Sequence, residues 1–200
     1  MVAKLETFKN CIPCVNPNPT IARTIVYWHT CFIRAALIDR ITKEQFYNDC
    51  CAFVKYLIDA RNRCLNVTSD FAINEVLFLT LKKKIEPIFK DINDPQYKDK
   101  DWTSYLKDHR NIFDDSVKQQ VEEDFQKVQE RLQILPSRNG KFYSRDAVEI
   151  IMQHKLLPTD AYHIAFAKSY NISNIATLDY RDFKQGCDPM TTIYSYYHKH

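Results

Sequence analysis

Three carboxylates and one imidazole in this 200-residue chain stand where a parallel α/β sheet would bring them together. Glu75 falls one and a half to two turns into a helix that Ser69 can cap. Asp160 lies in the first turn of a helix opened by Pro158, and Asp179 directly follows the strand-like run Ile172–Thr177. His29 follows Thr24–Trp28 in the same way. The crevice of an open parallel sheet lies beyond the carboxyl ends of its strands, so all four positions face it. Carboxylates gathered in a partly desolvated crevice repel one another, and a hard cation with oxygen preference, Mg²⁺ or Mn²⁺, relieves that repulsion. Phosphodiester hydrolysis is the chemistry such a site supports best, because the ion activates water and neutralises charge growing on the phosphate. Each acid also has an ordinary reading: a solvated helix residue for Glu75, a helix-dipole partner for Asp160, a post-strand turn for Asp179.

The elements that must position these groups are legible as alternating strands and helices. Thr24–Trp28 is short, β-branched and aromatic, a buried strand. Thr42 and Gln45 form a capping box, after which Phe46, Cys50, Phe53, Val54, Leu57 and Ile58 make one helical stripe to about Arg61. Cys64–Thr68 is a second strand. The helix after Ser69 carries Val76, Leu77 and Leu81 and is predicted to end at Lys82-Lys83-Lys84, cations suited to the negative end of its dipole. Residues 91–115 turn polar and charged, an exposed insertion with room for a short helix. Val117, Val121, Phe125, Val128 and Leu132 form another stripe passing into a third strand at Leu132–Leu135. Helices follow over Ser144–Lys155 and from Pro158, where Ala161, Ala165 and Ala167 permit close packing. Ile172–Thr177 and Thr191–Tyr197 complete five strands. The expected fold class is α/β with a parallel sheet. Residues 1–20, with Asn16-Pro17-Asn18-Pro19, read as an N-terminal extension lying over a domain of residues 21–200.

Composition narrows the function. Only Gly140 and Gly186 are glycines, so no Gly-rich phosphate cradle exists, and Walker-type NTPases and Rossmann enzymes are excluded. A net charge of +3 is too small to announce nucleic-acid binding by itself, so any basic surface must be local. No secretory signal and no run of about 18 apolar residues is present, which points to an intracellular, cytoplasmic protein without a membrane span. The seven cysteines do not form an even, dense disulfide framework. Cys11-Ile12-Pro13-Cys14 has the gap of a zinc half-site, with Cys50, Cys51 and Cys64 as conceivable completing ligands, but no second C-x-x-C exists and ordinary thiols are the preferred reading.

Three segments in order resemble the signatures of the PIN-domain nucleases. They are Ser69-Asp70-Phe71-Ala72-Ile73-Asn74-Glu75, then Thr159-Asp160-Ala161-Tyr162-His163-Ile164-Ala165-Phe166-Ala167, then Ala176-Thr177-Leu178-Asp179-Tyr180-Arg181-Asp182-Phe183. The resemblance implies a PIN-like three-layer fold with a central five-stranded parallel sheet, a Mg²⁺ or Mn²⁺ pocket and RNA as substrate. It also implies frequent membership of toxin–antitoxin pairs of the VapC type, with a small antitoxin protein as partner and homodimerisation. Glu75, Asp160 and Asp179 match the family's catalytic and metal-holding acids and Asp182 an often acidic auxiliary position; in such a mechanism Thr30 or Thr177 would assist through hydroxyl contacts. One position departs. The family's first strand normally ends in an Asp followed by Thr or Ser, and here His29 precedes Thr30. A neutral imidazole binds Mn²⁺ or Zn²⁺ but is a poor Mg²⁺ ligand.

His29 therefore leaves two readings open: a metal-dependent endoribonuclease, or a catalytically silent PIN-like module that binds RNA or protein. A degenerate site, a shifted metal preference and an engineered change are all compatible with it. His163, three residues after Asp160, is read as a packed core histidine in preference to a hydrogen-bond partner of the pocket. Phosphates need a positive rim, for which Arg34, Lys43, Lys82, Lys83, Lys84, Lys141, Arg145 and Arg181 are the candidates. Trp28, Tyr162 and Tyr180 are aromatic enough to stack bases, with Trp28 better suited to the core.

Overall fold

A computed structural model describes residues 4–7, 24–39, 52–59, 63–91, 97, 101–137 and 140–195. The chain begins with β1 (Lys4–Thr7) and β2 (Ile25–Trp28). A short helix α1 (Thr30–Ile33) continues as a π-helical turn over Arg34–Ile38. Helical residues 52–58 (α2) precede β3 (Leu65–Ser69) and the long α3 (Asp70–Asp91). Then come α4 (Trp102–Asp108), a 3₁₀ turn (Arg110–Ile112), α5 (Asp115–Gln129) and β4 (Gln133–Leu135). The chain continues through α6 (Gly140–His154), α7 (Pro158–Ser169), β5 (Asn174–Ala176), α8 (Tyr180–Gly186) and β6 (Thr192–Ser195).

The strands form one parallel sheet in the order β1-β6-β5-β2-β3-β4. Both faces are covered, because alternate strand residues serve different layers. Val26 and Trp28 face a core with Phe32, Phe53, Leu57 and Val76, which belongs to the side of α1, α2, α3 and α5. Tyr27 and Val67 face the other side, packed with Ala147, Ile164, Ala165, Phe166 and Phe183 from α6, α7 and α8. This is the three-layer α/β arrangement expected from the alternation of elements. Burial of each large side chain, Trp28 and Phe32 among them, contributes roughly 1.5–3 kcal/mol. Trp28 is a core residue whose indole N–H donates to Asn66 Oδ1 at 3.1 Å, so it does not stack bases.

Three details differ from the sequence reading. The segment read as an extension over the body places Lys4–Thr7 beside β6, adding a sixth, edge strand to the five expected. Four residues without an apolar run give too little periodicity to announce a strand; pairing with β6 makes it one. The helix after Ser69 does not stop at the three lysines but runs to Asp91 and includes Pro87. Ile85 is fully buried, and Phe78 and Phe89 meet Trp102 and Tyr105 of α4, so tertiary packing outweighs the proline. The insertion at 91–115 is accordingly less solvated than its charge implies. Tyr97, Trp102 and Tyr105 are buried, Tyr105 stacks on His109 at 4.1 Å, and the Tyr97 hydroxyl donates to Asp108 at 2.8 Å. The capping box at Thr42 and Gln45, and Cys11, Cys14, Cys50 and Cys51 of the zinc reading, lie outside the described residues.

The second layer depends on a close approach at Gly186, the last residue of α8. A Cβ there would stand 2.6 Å from Leu156 Cδ1 and 2.8 Å from Ile164 Cδ1. Gly186→Val is therefore expected to destabilise the protein by about 1–3 kcal/mol through overpacking, read as a lower urea midpoint at unchanged slope. An unchanged midpoint would show that this contact is not tight.

Candidate metal-binding site

The site begins with the ends of β2, β3 and β5. The His29 backbone N–H donates to the Ala176 carbonyl at 3.0 Å, which sets His29 and Thr177 side by side at adjacent strand ends. Ser69 closes β3 and its hydroxyl accepts the Ala72 N–H at 2.9 Å, capping α3 and fixing the direction in which Glu75 leaves it. Asp160 occupies the first turn of α7 behind Pro158 at its N-terminus, and Asp179 precedes α8.

Glu75 is held by two donors on one oxygen. The Thr30 hydroxyl donates to Oε2 at 2.5 Å and His163 Nε2 lies 2.7 Å from it. Burial alone would raise this carboxyl, but the His163 hydrogen bond and charge, with the Thr30 hydroxyl, outweigh it and hold Glu75 below the ordinary carboxylate range. His163 is fully buried, and its Nδ1 lies 2.5 Å from the Tyr27 hydroxyl, itself 2.9 Å from Ser69 Oγ. The packed reading of His163 and its role as a pocket partner thus both hold. One continuous polar chain runs Glu75–His163–Tyr27–Ser69.

His29 is 5% exposed. Its Nδ1 stands 3.0 Å from Thr177 Oγ1, 3.0 Å from Cys31 Sγ and 3.6 Å from Asp179 Oδ2. Its ring meets His163 edge-on at 4.3 Å and Phe183 at 4.7 Å. Burial, then the neighbouring His163 charge, push its pKa well below the ordinary imidazole value, so the ring is neutral at physiological pH. Asp160 is buried as well; burial, then the charges of Asp182, Asp179 and Glu75, push its carboxyl up to about 6. Burial, with Asp179 nearby, likewise raises Cys31 far above a normal thiol.

Among the described residues two sets bring three ligand atoms within 4.8 Å of one another: His29–Glu75–His163 and His29–Cys31–Asp179. The three acids singled out from sequence therefore do not themselves close into one such set. His29 links Glu75 to Asp179, and Asp160 and Asp182 join through their field. This donor set fits a divalent cation. Glu75 keeps Oε1 without a hydrogen bond among the described residues, His29 is neutral with a lone pair to give, and positive charge would offset the burial and repulsion that raise the Asp160 carboxyl. Mixed nitrogen and oxygen ligands suit Mn²⁺ or Zn²⁺ better than Mg²⁺.

The rim candidates separate. Arg34 is mostly buried and paired to Asp39 through Nε at 2.8 Å and Nη2 at 2.7 Å, so it is not available to phosphate. Arg145 is exposed and faces Glu149 at 3.4 Å; Lys82 is half-buried on α3, two turns beyond Glu75. Arg181 lines a groove of ≈ 790 Å³ between the end of α6 and α8, together with His154, Lys155, Tyr180, Lys184 and Asp188, a groove that none of the site acids lines. Lys155, Arg181 and Lys184 make no ion pair among the described residues, and Lys184 stands 5.5 Å over the Tyr180 ring. Lys155 and Lys184 are not among the rim candidates read from sequence, although Lys184 directly follows the third motif; only the fold brings the end of α6 against α8. Cys31 escaped because Thr177 and Leu178, which meet its sulfur, are 146 and 147 positions away.

A family model described as PIN domain matches residues 66–188. The chain belongs to the PIN-domain family. The matched region contains Glu75, Asp160, Thr177, Asp179 and Asp182 and begins after the strand that carries His29. In fold, this PIN domain is similar to a chain in the crystal structure of VapBC2 from Rickettsia felis bound to a DNA fragment from their promoter. The two share 14% identity over 85% of this chain and 97% of that one, with a TM-score of 0.50. FitAB bound to the IR36 DNA fragment aligns at 16% identity over 88% and 98% of the two chains, TM-score 0.49. FitAcB from Neisseria gonorrhoeae aligns at 14% over 84% and 96%, TM-score 0.45. No curated protein matches the sequence. No helix among the described residues is long and apolar enough to cross a membrane.

The Asp160 carboxyl offers a direct check on the crowding. Ionised, it costs stability, since its folded pKa lies near 6 against an ordinary 3.8. That cost is complete above pH 6, shrinks as the pH falls, and is absent below about pH 4, where the unfolded carboxyl is protonated too. Asp160→Asn should raise metal-free stability by about 1–2 kcal/mol at pH 8 and by little at pH 4, measured by thermal unfolding. A gain independent of pH would show that Asp160 is not in the field of the other acids.

Proposed function

We propose that this PIN domain is a metal-dependent endoribonuclease whose centre prefers Mn²⁺ to Mg²⁺, and that it is the toxin of a toxin–antitoxin pair. The observation that carries the reading is the placement of neutral His29 between Glu75 and Asp179, with one imidazole common to two metal-competent sets. His29 stands at the position where the family pattern has an Asp, so nitrogen replaces one anionic oxygen without removing a ligand. A bound ion supplies a water of lowered pKa and neutralises charge developing on the phosphate. Glu75 and His29 would hold it from one set, with Asp179 reached through the same imidazole from the other and Asp160 adding charge nearby. Thr30 and His163 lock the Glu75 rotamer, and Thr177 orients both His29 and, by accepting the Asp179 N–H at 3.0 Å, the start of α8. Lys155, Arg181 and Lys184 hold the flanking phosphates of RNA along the groove.

The partner protein is read from similarity in fold to a member of the VapBC2 complex and from the surface. Val148 and Met152, one turn apart on α6, and Leu157 beyond it are exposed apolar residues of the kind that an antitoxin or a second copy of the chain covers.

A silent binding module is the second reading, favoured by one observation. Glu75 is already balanced by His163 and Thr30, so the pocket can be electrically satisfied without an ion.

The readings separate in a cleavage assay on a mixed-sequence RNA. The nuclease reading expects cleavage with Mn²⁺, weaker cleavage with Mg²⁺ and none with chelator. Glu75→Gln or Asp179→Asn should lower the rate by about 100-fold or more, because loss of a ligand exceeds the 10–100-fold typical of an outer partner. RNA binding without cleavage under any of these ions would establish the silent module. Arg181→Ala and Lys184→Ala should raise KM about 3–10-fold at low salt with kcat nearly unchanged, each reducing the salt dependence of binding by about one charge. Equal losses in kcat would place these residues at the chemistry instead of the phosphate path.

A further inference from the structure

We propose that His29, Cys31 and Asp179 form a second metal site, of nitrogen, sulfur and oxygen ligands, that takes Zn²⁺ and excludes the hydrolytic ion. The three ligand atoms lie within 4.8 Å of one another. His29 Nδ1 is 3.0 Å from Cys31 Sγ and 3.6 Å from Asp179 Oδ2. A tetrahedral zinc with Zn–N near 2.05 Å, Zn–S near 2.3 Å and Zn–O near 2.1 Å places nitrogen about 3.6 Å from sulfur and about 3.4 Å from oxygen. Side-chain shifts of about 0.6 Å or less bring these two edges to that geometry. The fourth position falls to water, entering on the side of Asp179, whose side chain is 46% exposed.

Two contacts already hold the Cys31 sulfur, and a bound cation would supply the positive charge its thiolate lacks in this buried, acidic setting. The Leu178 N–H donates to Cys31 Sγ at 3.1 Å, the kind of outer contact that holds a metal-bound sulfur in place. Thr177 Oγ1 lies 3.4 Å from the same sulfur and 3.0 Å from His29 Nδ1, so it fixes both ligands. His29 is packed between His163 and Phe183 and cannot turn away without breaking those ring contacts. The sulfur makes the set soft enough to favour Zn²⁺ over Mg²⁺ or Mn²⁺, which prefer oxygen. Binding releases the Cys31 proton to water and forms a metal–sulfur bond, with no change in oxidation state. Because His29 and Asp179 also serve the hydrolytic centre under the reading above, the two ions compete, and zinc restrains cleavage.

The test is optical titration of the full, reduced chain with Co²⁺, a spectroscopic stand-in for zinc. The wild-type protein should show a thiolate-to-cobalt charge-transfer band, displaced by stoichiometric Zn²⁺. Cys31→Ser should remove one equivalent of it, Asp179→Asn should weaken Co²⁺ binding about 10-fold or more, and Glu75→Gln should leave it intact while abolishing cleavage. No band in the wild type, or a band undiminished in Cys31→Ser, overturns the site. Should Cys31→Ser fail to fold, Asp179→Asn decides, since its surface position spares the core: full affinity there also overturns the proposal. RNA cleavage that fails while the Co²⁺ band follows this pattern removes the nuclease reading and leaves the zinc site standing.

Discussion

A neutral imidazole buried among carboxylates is the constraint on which the rest of the site depends. His29 has almost no contact with solvent, and burial makes its protonated form costly, so it brings a lone pair but no charge. The sheet leaves it no alternative place. Its backbone is tied to β5 through Ala176, its ring is fixed by Phe183 and His163, and its Nδ1 faces the carboxyl end of the neighbouring strand. The acids around it then divide into unlike states. Glu75 is held ionised by hydrogen bonds, while burial, and then three negative neighbours, let Asp160 keep its proton to about pH 6. Environment, more than residue type, gives these two carboxylates different work.

Function follows from how the polar chain is anchored. Glu75 leans on His163, His163 on Tyr27, Tyr27 on Ser69, and Ser69 caps the helix that carries Glu75. The loop closes on itself through four elements, which makes the position of Glu75 a property of the whole sheet. Buried networks of this kind are rigid when every member is satisfied and costly when one is lost. Asp179 precedes α8, and Tyr180, Arg181 and Lys184 of that helix line the basic groove, so charge of one sign sits at the proposed chemistry and charge of the other along the proposed strand path. Such an arrangement suits a polyanion that must be gripped beside, and not by, its reacting phosphate.

Much of this was written in local sequence. Thr24–Trp28, Cys64–Thr68 and Ile172–Thr177 announce strands through β-branched and aromatic residues, Pro158 announces α7, and Ser69 announces the cap of α3, so the elements carrying Glu75, Asp160 and Asp179 are legible in the chain itself. Contacts across the sheet were not legible. Nothing near Cys31 tells that Thr177 and Leu178 come to its sulfur, and nothing near Lys155 tells that Arg181 and Lys184 share its groove. The three lysines at 82–84 looked like a helix end because the aromatic residues that prolong α3, Trp102 and Tyr105, sit on a later helix. Lys4–Thr7 was missed for the same reason, since an edge strand is defined by its neighbour. Local propensity gave the elements, and long-range pairing decided which side chains meet.

The central claim is that His29 is a ligand of the bound ion. Electron spin-echo modulation of Mn²⁺ bound to the full chain reads ligand nitrogen directly, whatever the rate of cleavage. The account predicts an imidazole ¹⁴N signal in the wild-type protein that disappears in His29→Asp, with Mn²⁺ still bound through oxygen. Mn²⁺ bound to the wild type without ¹⁴N coupling, or a nitrogen signal unchanged by His29→Asp, would contradict it.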